Sequence, residues 1–341
     1  MSALKRALRV TATPGMAPEA SEAQKGRKKA TQQLESLTKA LTAPLSLYVK
    51  GFPPPTRLHP FERALLDLTI GAEEHERTVA RVDALRKRLT EAGKSATAHA
   101  NRATSAFEAE RRRAAGFAEL EGLFERGGVA VDALKAQAKL LRALPVAELT
   151  SPTAALVGAP NVGKSSLVRL LSSGTPVVAN YPFTTRGVAM GHVMGPDGTG
   201  RAVLTDTPGV LLRPDVARNR MERLTLAALA FLPCGVVFVA DASGSCGVDA
   251  AGQLGIREEM RSRFGGRPWI DVLSKWDAVG DAQSGAVVGR DMLINALPGA
   301  IRVSVRTGEG TRELAIALGR LLRQVNATLL ATPGDDTPVG N

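Results

Sequence analysis

Cysteine is almost missing from this sequence. Two residues, Cys234 and Cys246, in a chain of 341 cannot build a disulfide framework or a metal-ligand cluster, so a reducing compartment is the default. His59, His75 and His99 are scattered without metal-ligand spacing, which leaves them structural roles. No apolar run approaches the ~20 residues of a membrane span, and the apolar region of a secretory signal is absent. Aromatic residues make up only 4% of the chain, yet hydrophobic residues make up 44%, enough for packed cores in about two domains.

Charge is plentiful and uneven. The net charge is +11, and residues 1–150 hold 25 of the 44 Lys and Arg but 17 of the 33 Asp and Glu. The basic half is therefore the expected contact surface for a polyanion; a merely solvated basic surface is the plain alternative. The first 18 residues carry Lys5, Arg6 and Arg9 and no acidic residue, which suits either a transit-peptide remnant or a basic arm.

From Gln24 to Val49 a cationic cluster (Lys25, Arg27, Lys28, Lys29) leads into a helical pattern with Leu34, Leu37 and Leu41. Such a helix fits a phosphate backbone, which rewards Lys and Arg without asking for sequence. Gly51-Phe52-Pro53-Pro54-Pro55 stops it. Pro60 then sits where a first-turn proline belongs. Helical periodicity continues to Leu144, with one break expected at Gly127-Gly128. An antiparallel bundle of roughly three to five helices follows.

The chain turns on TAALVGAPNVGKS, residues 153–165. Gly158, Gly163, Lys164 and Ser165 satisfy the spacing of a phosphate-binding loop, with Val162 and Ser166 beside them. A strand precedes the loop and a helix follows it, as the motif requires. Backbone N–H groups turned inward at a helix N-terminus meet phosphate oxygens with both donors and a favourable dipole. Lys164 would reach the β- and γ-phosphates, and Ser165 a Mg²⁺ ion. A glycine-rich turn that binds nothing is the bland alternative.

Behind it, Ser173 to Arg186 reads as one long loop. Strands are expected at 187–194 and 202–205, joined by an Asp197-Gly198 turn. They deliver Asp206-Thr207-Pro208-Gly209, where Asp206 can serve Mg²⁺ and the Gly209 N–H the γ-phosphate. Further strands are expected at 235–240, 267–273 and 300–305, and a last helix at 311–330. Ser274-Lys275-Trp276-Asp277 follows the second of these strands. Asp277 there can accept two hydrogen bonds from guanine, a pattern that adenine cannot supply. Ser304 and Val305 would close the base pocket.

These motifs in order identify a translation-factor-related GTPase resembling the Obg-like group. NYPFTTRGVAMGHV, DTPGVLLRPDVARNRMERLTLAALAFL and the helical PPPTRLHPFERALLDLTIG narrow the resemblance to the nucleolar GTP-binding (Nog) family, over roughly residues 50–330. The resemblance implies a helical bundle followed by a Ras-like, doubly wound P-loop domain. Its parts would be a basic arm and helix at 1–50, a helical domain at 51–149, an Obg-type G domain at 150–331 and a disordered tail at 332–341, without the family's long C-terminal extension. It further implies a GTPase, converting GTP to GDP and phosphate, that joins large ribosomal subunit assembly. Its helical domain would bind ribosomal RNA, and it would act as a monomer on the particle among other assembly factors.

By that resemblance Thr185, with Thr184 as the near alternative, is the switch I residue for Mg²⁺ and the γ-phosphate. Val210 stands where many small GTPases place the glutamine that orients water, so slow intrinsic turnover is expected. Asn161 matches an asparagine that related GTPases use to hold potassium, which makes K⁺ a candidate beside GTP, GDP and Mg²⁺; a loop-stabilising role is the plain alternative. Ser274 replaces the usual asparagine and is expected to lose the tie from base loop to P-loop, about 1 kcal/mol, with weaker guanine affinity. A structural assembly factor with a weak or inactive G domain is the rival reading, and GTP signalling without RNA a third. For compartment, the acid-free start favours a mitochondrion or plastid, and the family name the nucleolus.

Overall fold

The computed structural model describes residues 6–10, 20–145, 151–182, 188–194, 201–281 and 284–331. They form two compact units that are not consecutive in sequence. One takes its residues from 1–58 and 70–141, the other from 59–69 and 142–341.

The first unit is a bundle of three long helices, α1 (Glu22–Gly51), α3 (Ala72–Asn101) and α4 (Ala106–Arg142). A capping box starts α1: the Gln24 N–H donates to Ser21 Oγ, and the Ser21 N–H to Gln24 Oε1, satisfying two orphan donors at once. Arg27 donates to the Ala103 carbonyl at 2.9 Å, and Gly93 lies against Thr38, so α1 and α3 run antiparallel. Leu34, Leu37, Val82, Leu85, Leu89, Phe117 and Leu120 fill the core.

The break expected at Gly127-Gly128 does not occur; α4 runs through both glycines. A Cβ on Gly127 would lie 2.4 Å from Leu85 Cδ1. This glycine therefore marks close helix packing, and that contact outweighs its poor helix propensity. Residues 6–10 join the bundle as well. Ala7 is fully buried, Gln33 Nε2 donates to the carbonyls of Leu8 and Val10 at 3.1 Å each, and Arg113 donates to Gln33 Oε1 at 2.6 Å.

Between α1 and α3 the chain leaves the bundle. Helix α2 (Pro60–Thr69) begins at the proline expected to start it, but it clusters with the second unit, not with the helices around it in sequence. Its apolar face of Phe61, Leu65 and Leu68 packs on Ala179, Tyr181, Val188, Leu224, Ala227 and Ala228.

The second unit is built on a seven-stranded sheet in the order β2-β3-β4-β1-β5-β6-β7. The strands are β1 (Thr153–Val157), β2 (Val177–Ala179), β3 (Val188–Met194), β4 (Arg201–Asp206), β5 (Cys234–Asp241), β6 (Trp269–Ser274) and β7 (Ile301–Arg302). β1 lies parallel to β4 and β5, and β5–β6 and β6–β7 continue parallel, whereas β2–β3 and β3–β4 are antiparallel. The helices are α5 (Lys164–Leu171), α6 (Arg220–Phe231), α7 (Ala250–Phe264), α8 (Ser284–Ala296) and α9 (Thr311–Ala331).

Strand β2 falls inside the stretch read from sequence as one loop. Its exposed Val177 and Val178 carry no burial signal, and pairing with β3 defines it. β7 is shorter than the expected strand. By length and composition α9 could cross a membrane, contrary to the expectation that no segment comes near it. Here it buries Leu314, Leu318, Leu321, Leu322 and Val325 in the core of the sheet domain. The Asp197-Gly198 turn and the tail at 332–341 lie outside the described residues.

Candidate nucleotide-binding site

The central strands are parallel and in register, with Leu156 beside Asp206 and Asp241 beside Ser274. Their carboxyl ends therefore open onto one crevice, where parallel sheets bind ligands. Four loops converge there, after β1, β4, β6 and β7.

The loop after β1 is held tightly. A Cβ on Gly158 would lie 2.2 Å from the Val239 carbonyl oxygen, so only glycine lets β5 support the loop this closely. Asn161 adopts φ +62°, a left-handed conformation that asparagine tolerates better than most residues. α5 opens at Lys164 directly behind Gly163 and aims its first N–H groups into the crevice.

Lys164 is only 6% exposed. Its ammonium donates to the loop's own carbonyls, Ala159 O at 2.7 Å and Gly158 O at 3.1 Å. Burial lowers its pKa from 10.5 to about 8, with Asp206 opposing. Ser165 Oγ donates to Asp206 Oδ2, while Asp206 Oδ1 is buried with no partner among the described residues. Burial raises the Asp206 carboxyl above the usual range in spite of Ser165. A hydroxyl beside a carboxylate with one unused, desolvated oxygen fits a Mg²⁺ ion carried in with phosphates.

After Asp206, Thr207 Oγ1 donates to Leu156 O at 2.6 Å and the Val210 N–H to Gly158 O at 3.1 Å. Val210 is fully buried in the sheet core, so its side chain packs and does not face the cleft. Thr184 and Thr185 lie outside the described residues.

The base loop differs from the sequence expectation. Ser274 is expected to lose the link to the P-loop, but its Oγ lies 2.6 Å from Val162 O and 3.0 Å from Ala240 O. One hydroxyl proton serves one acceptor at a time, and the nearer is the P-loop carbonyl. Asp277 accepts from Ser304 Oγ at 2.6 Å through Oδ1 and from Arg306 Nε at 2.7 Å through Oδ2. These donors, Ser304 first, hold its carboxyl below the usual range. Ser304 also accepts from the Thr307 N–H at 3.0 Å, whereas Val305 is 41% exposed.

Lys275 adopts φ +54°, and its ammonium donates to Asp241 Oδ2 and Ser245 Oγ, each at 2.8 Å. Sequence reasoning missed Asp241 and Arg306. Asp241 closes the apolar run GVVFVA, and a carboxylate at the end of a buried strand was the available signal. Arg306 directly follows the strand expected at 300–305, but its reach to Asp277 depends on the fold.

Residues 1–148 match the family model described as the NOG1 N-terminal helical domain. Residues 220–277 match that of Nucleolar GTP-binding protein 1 (NOG1), and residues 152–243 that of Ferrous iron transport protein B. Nucleolar GTP-binding protein 1 of Arabidopsis thaliana is 28% identical over 235 residues, 69% of this chain and 35% of its own length. GTPase Obg of Rubrobacter xylanophilus is 39% identical over 184 residues, 52% of this chain and 41% of its own. A crystal structure of a nucleolar GTP-binding protein 1 from Plasmodium falciparum has 26% identity and a TM-score of 0.43, covering 55% of this chain and 94% of that one. The chain thus spans less than half the length of these two curated relatives. Several relatives are named nucleolar, in line with the alternative compartment; the organellar expectation finds no support among them.

Proposed function

The chain belongs to the Nog family of GTP-binding proteins through both of its parts, and from that premise we propose that it binds GTP with Mg²⁺, hydrolyses it slowly and serves as a switched assembly factor of the large ribosomal subunit. One observation carries this reading: Lys164, Ser165, Asp206 and Lys275 line one crevice, and Asp277, two residues after Lys275, is hydrogen-bonded to Ser304 behind β7.

In this proposal Lys164 leaves the carbonyls of Gly158 and Ala159 for the β- and γ-phosphates. The exchange favours the nucleotide because the triphosphate restores a full ionic partner to a desolvated ammonium. Ser165 and Asp206 would hold Mg²⁺, and Thr185 would join them in the GTP-bound state. The ion supplies charge neutralisation and orientation of the phosphate oxygens. The Gly209 N–H meets the γ-phosphate. Asp277 would select guanine by accepting from its N1–H and N2–H₂, donors that adenine lacks and that add to those of Ser304 and Arg306. Gly158, Val162, Gly163 and Ser166 line the phosphate path, and Lys275, Ser304 and the Val305 backbone the base.

Val210 cannot orient the attacking water, which supports slow turnover. Asn161 has a backbone reason for its identity; a potassium ligand role is a separate part of the proposal. The surplus of Lys and Arg in residues 1–150 supports an RNA contact, and other assembly factors are the remaining partners. The rival, a structural factor with an inactive G domain, loses one support now that Ser274 reaches the P-loop.

The test is titration with GTP, GDP and ATP in Mg²⁺ buffer, with potassium and then sodium, following phosphate release in the same samples and using Lys164→Ala as control. GTP-selective binding with turnover above the control is expected. Binding without turnover in either salt would favour the rival. RNA binding that weakens steeply with salt tests the second half of the proposal.

A further inference from the structure

The stretch VLLRPDVARN that follows Gly209 has no part in the proposed reaction, yet it is tied to the protein by several hydrogen bonds. Across residues 208–211, three backbone groups are hydrogen-bonded from outside the loop and the fourth residue, Gly209, is closely packed. Thr225 Oγ1 donates to Pro208 O at 3.0 Å. Gly209 sits so close to Pro160 that a Cβ there would lie 2.6 Å from the Pro160 nitrogen. The Val210 N–H donates to Gly158 O at 3.1 Å, and the Leu211 N–H to Glu222 Oε1 at 3.0 Å.

Two buried charged side chains complete the hold. Glu222 is 1% exposed; its other oxygen accepts from the Asn219 N–H at 3.0 Å while its own N–H donates to Asn219 Oδ1 at 2.9 Å, the capping box that starts α6. One carboxylate thus caps a helix and carries the loop. The Arg218 side chain is fully buried. It donates to Asp215 Oδ1 at 2.9 Å, to Leu211 O at 3.3 Å and to Glu259 of α7. Arg263 closes the square with Glu259 at 3.0 Å and with both Asp215 oxygens at 2.9 and 3.1 Å. A buried guanidinium with two carboxylates and a carbonyl has all its strong partners inside the protein, and removal of one partner from such a set is costly.

We infer that Arg218 is a positioning residue that latches residues 208–211 onto α7 before any nucleotide arrives, so that Gly209 is preset for the γ-phosphate and does not fold around it. The inference rests on the GTP-binding reading and adds that the γ-phosphate meets a prepared donor.

The test compares the full chain with Arg218→Met and Glu259→Gln, using hydrogen exchange of the peptide covering 208–218 and Kd values for GDP and a non-hydrolysable GTP analogue. Nucleotide-free wild type should protect this peptide nearly as well as the analogue-bound form. Arg218→Met should lose that protection, regain it with the analogue, and weaken analogue binding by about tenfold while GDP binding changes little. Glu259→Gln keeps the shape and should show the same pattern more weakly, which guards against a misfolded methionine variant. Fast exchange in the nucleotide-free wild type, or equal loss of GDP and analogue affinity in both variants, would overturn the inference. Failure of wild type to bind either nucleotide would instead remove the reading beneath it.

Discussion

Ser274 Oγ lies 2.6 Å from the Val162 carbonyl oxygen, joining the end of β6 to the phosphate loop across 112 positions of sequence. The hydroxyl does part of what a longer amide would do, because β1, β5 and β6 lie side by side and the gap is short. Ser274→Ala should leave the buried Val162 carbonyl without this donor, costing on the order of 1 kcal/mol. GDP affinity is expected to fall about fivefold, the equivalent in binding. A titration that finds the alanine variant binding as tightly as wild type would show that the tie contributes nothing.

Lys164 sets a pH dependence. Its folded pKa of about 8 lies below the unfolded value of 10.5, so the unfolded chain binds more protons between these values. Stability of the nucleotide-free protein from this group therefore rises with pH in that window. Cys234, raised from 9.0 to about 11 by burial, acts in the opposite sense above pH 9, so the effect is cleanest between pH 8 and 9. A phosphate ligand favours the ammonium. Calorimetry at pH 8.5 in buffers of different ionisation enthalpy should show proton uptake on GDP binding, and affinity should fall as pH rises through 8.

Asp206 opposes stability in the service of binding. Its folded pKa lies above the unfolded value, so the ionised form is penalised at neutral pH and the penalty fades as pH falls through the folded pKa. Asp206→Asn removes this penalty and should raise the melting temperature of the nucleotide-free protein. The same variant should lose the Mg²⁺ dependence of nucleotide affinity. A lower melting temperature would contradict the assignment.

Leu65 tests where α2 belongs. It is 4% exposed and packs with the apolar face of the sheet domain. Leu65→Ala should cost that unit about 2–5 kcal/mol. In urea, probes in the sheet domain should report the shift, and probes confined to the three-helix bundle should not. The reverse outcome would return α2 to the bundle.

Much of this protein is legible without coordinates. The P-loop, Asp206-Gly209 and Asp277 each consist of a strand, a turn and a side chain whose chemistry depends on neighbours a few positions away. The parallel core strands announce themselves as short apolar runs because both their faces are covered. Long helices with regular apolar stripes are equally plain.

What required the tertiary structure are relations between distant segments. Gly127 looks like a helix break until Leu85 is placed against it, and Val177 and Val178 look like loop until β3 pairs with them. α2 has the periodicity of a bundle helix but docks on the sheet domain, and Arg218 looks like one more surface cation until Glu259 and Asp215 surround it. Periodicity along a chain reports that a face is buried, through local geometry and hydrogen bonding. Which surface buries it depends on shape and charge complementarity between elements far apart in sequence, and that is settled only when the chain has folded.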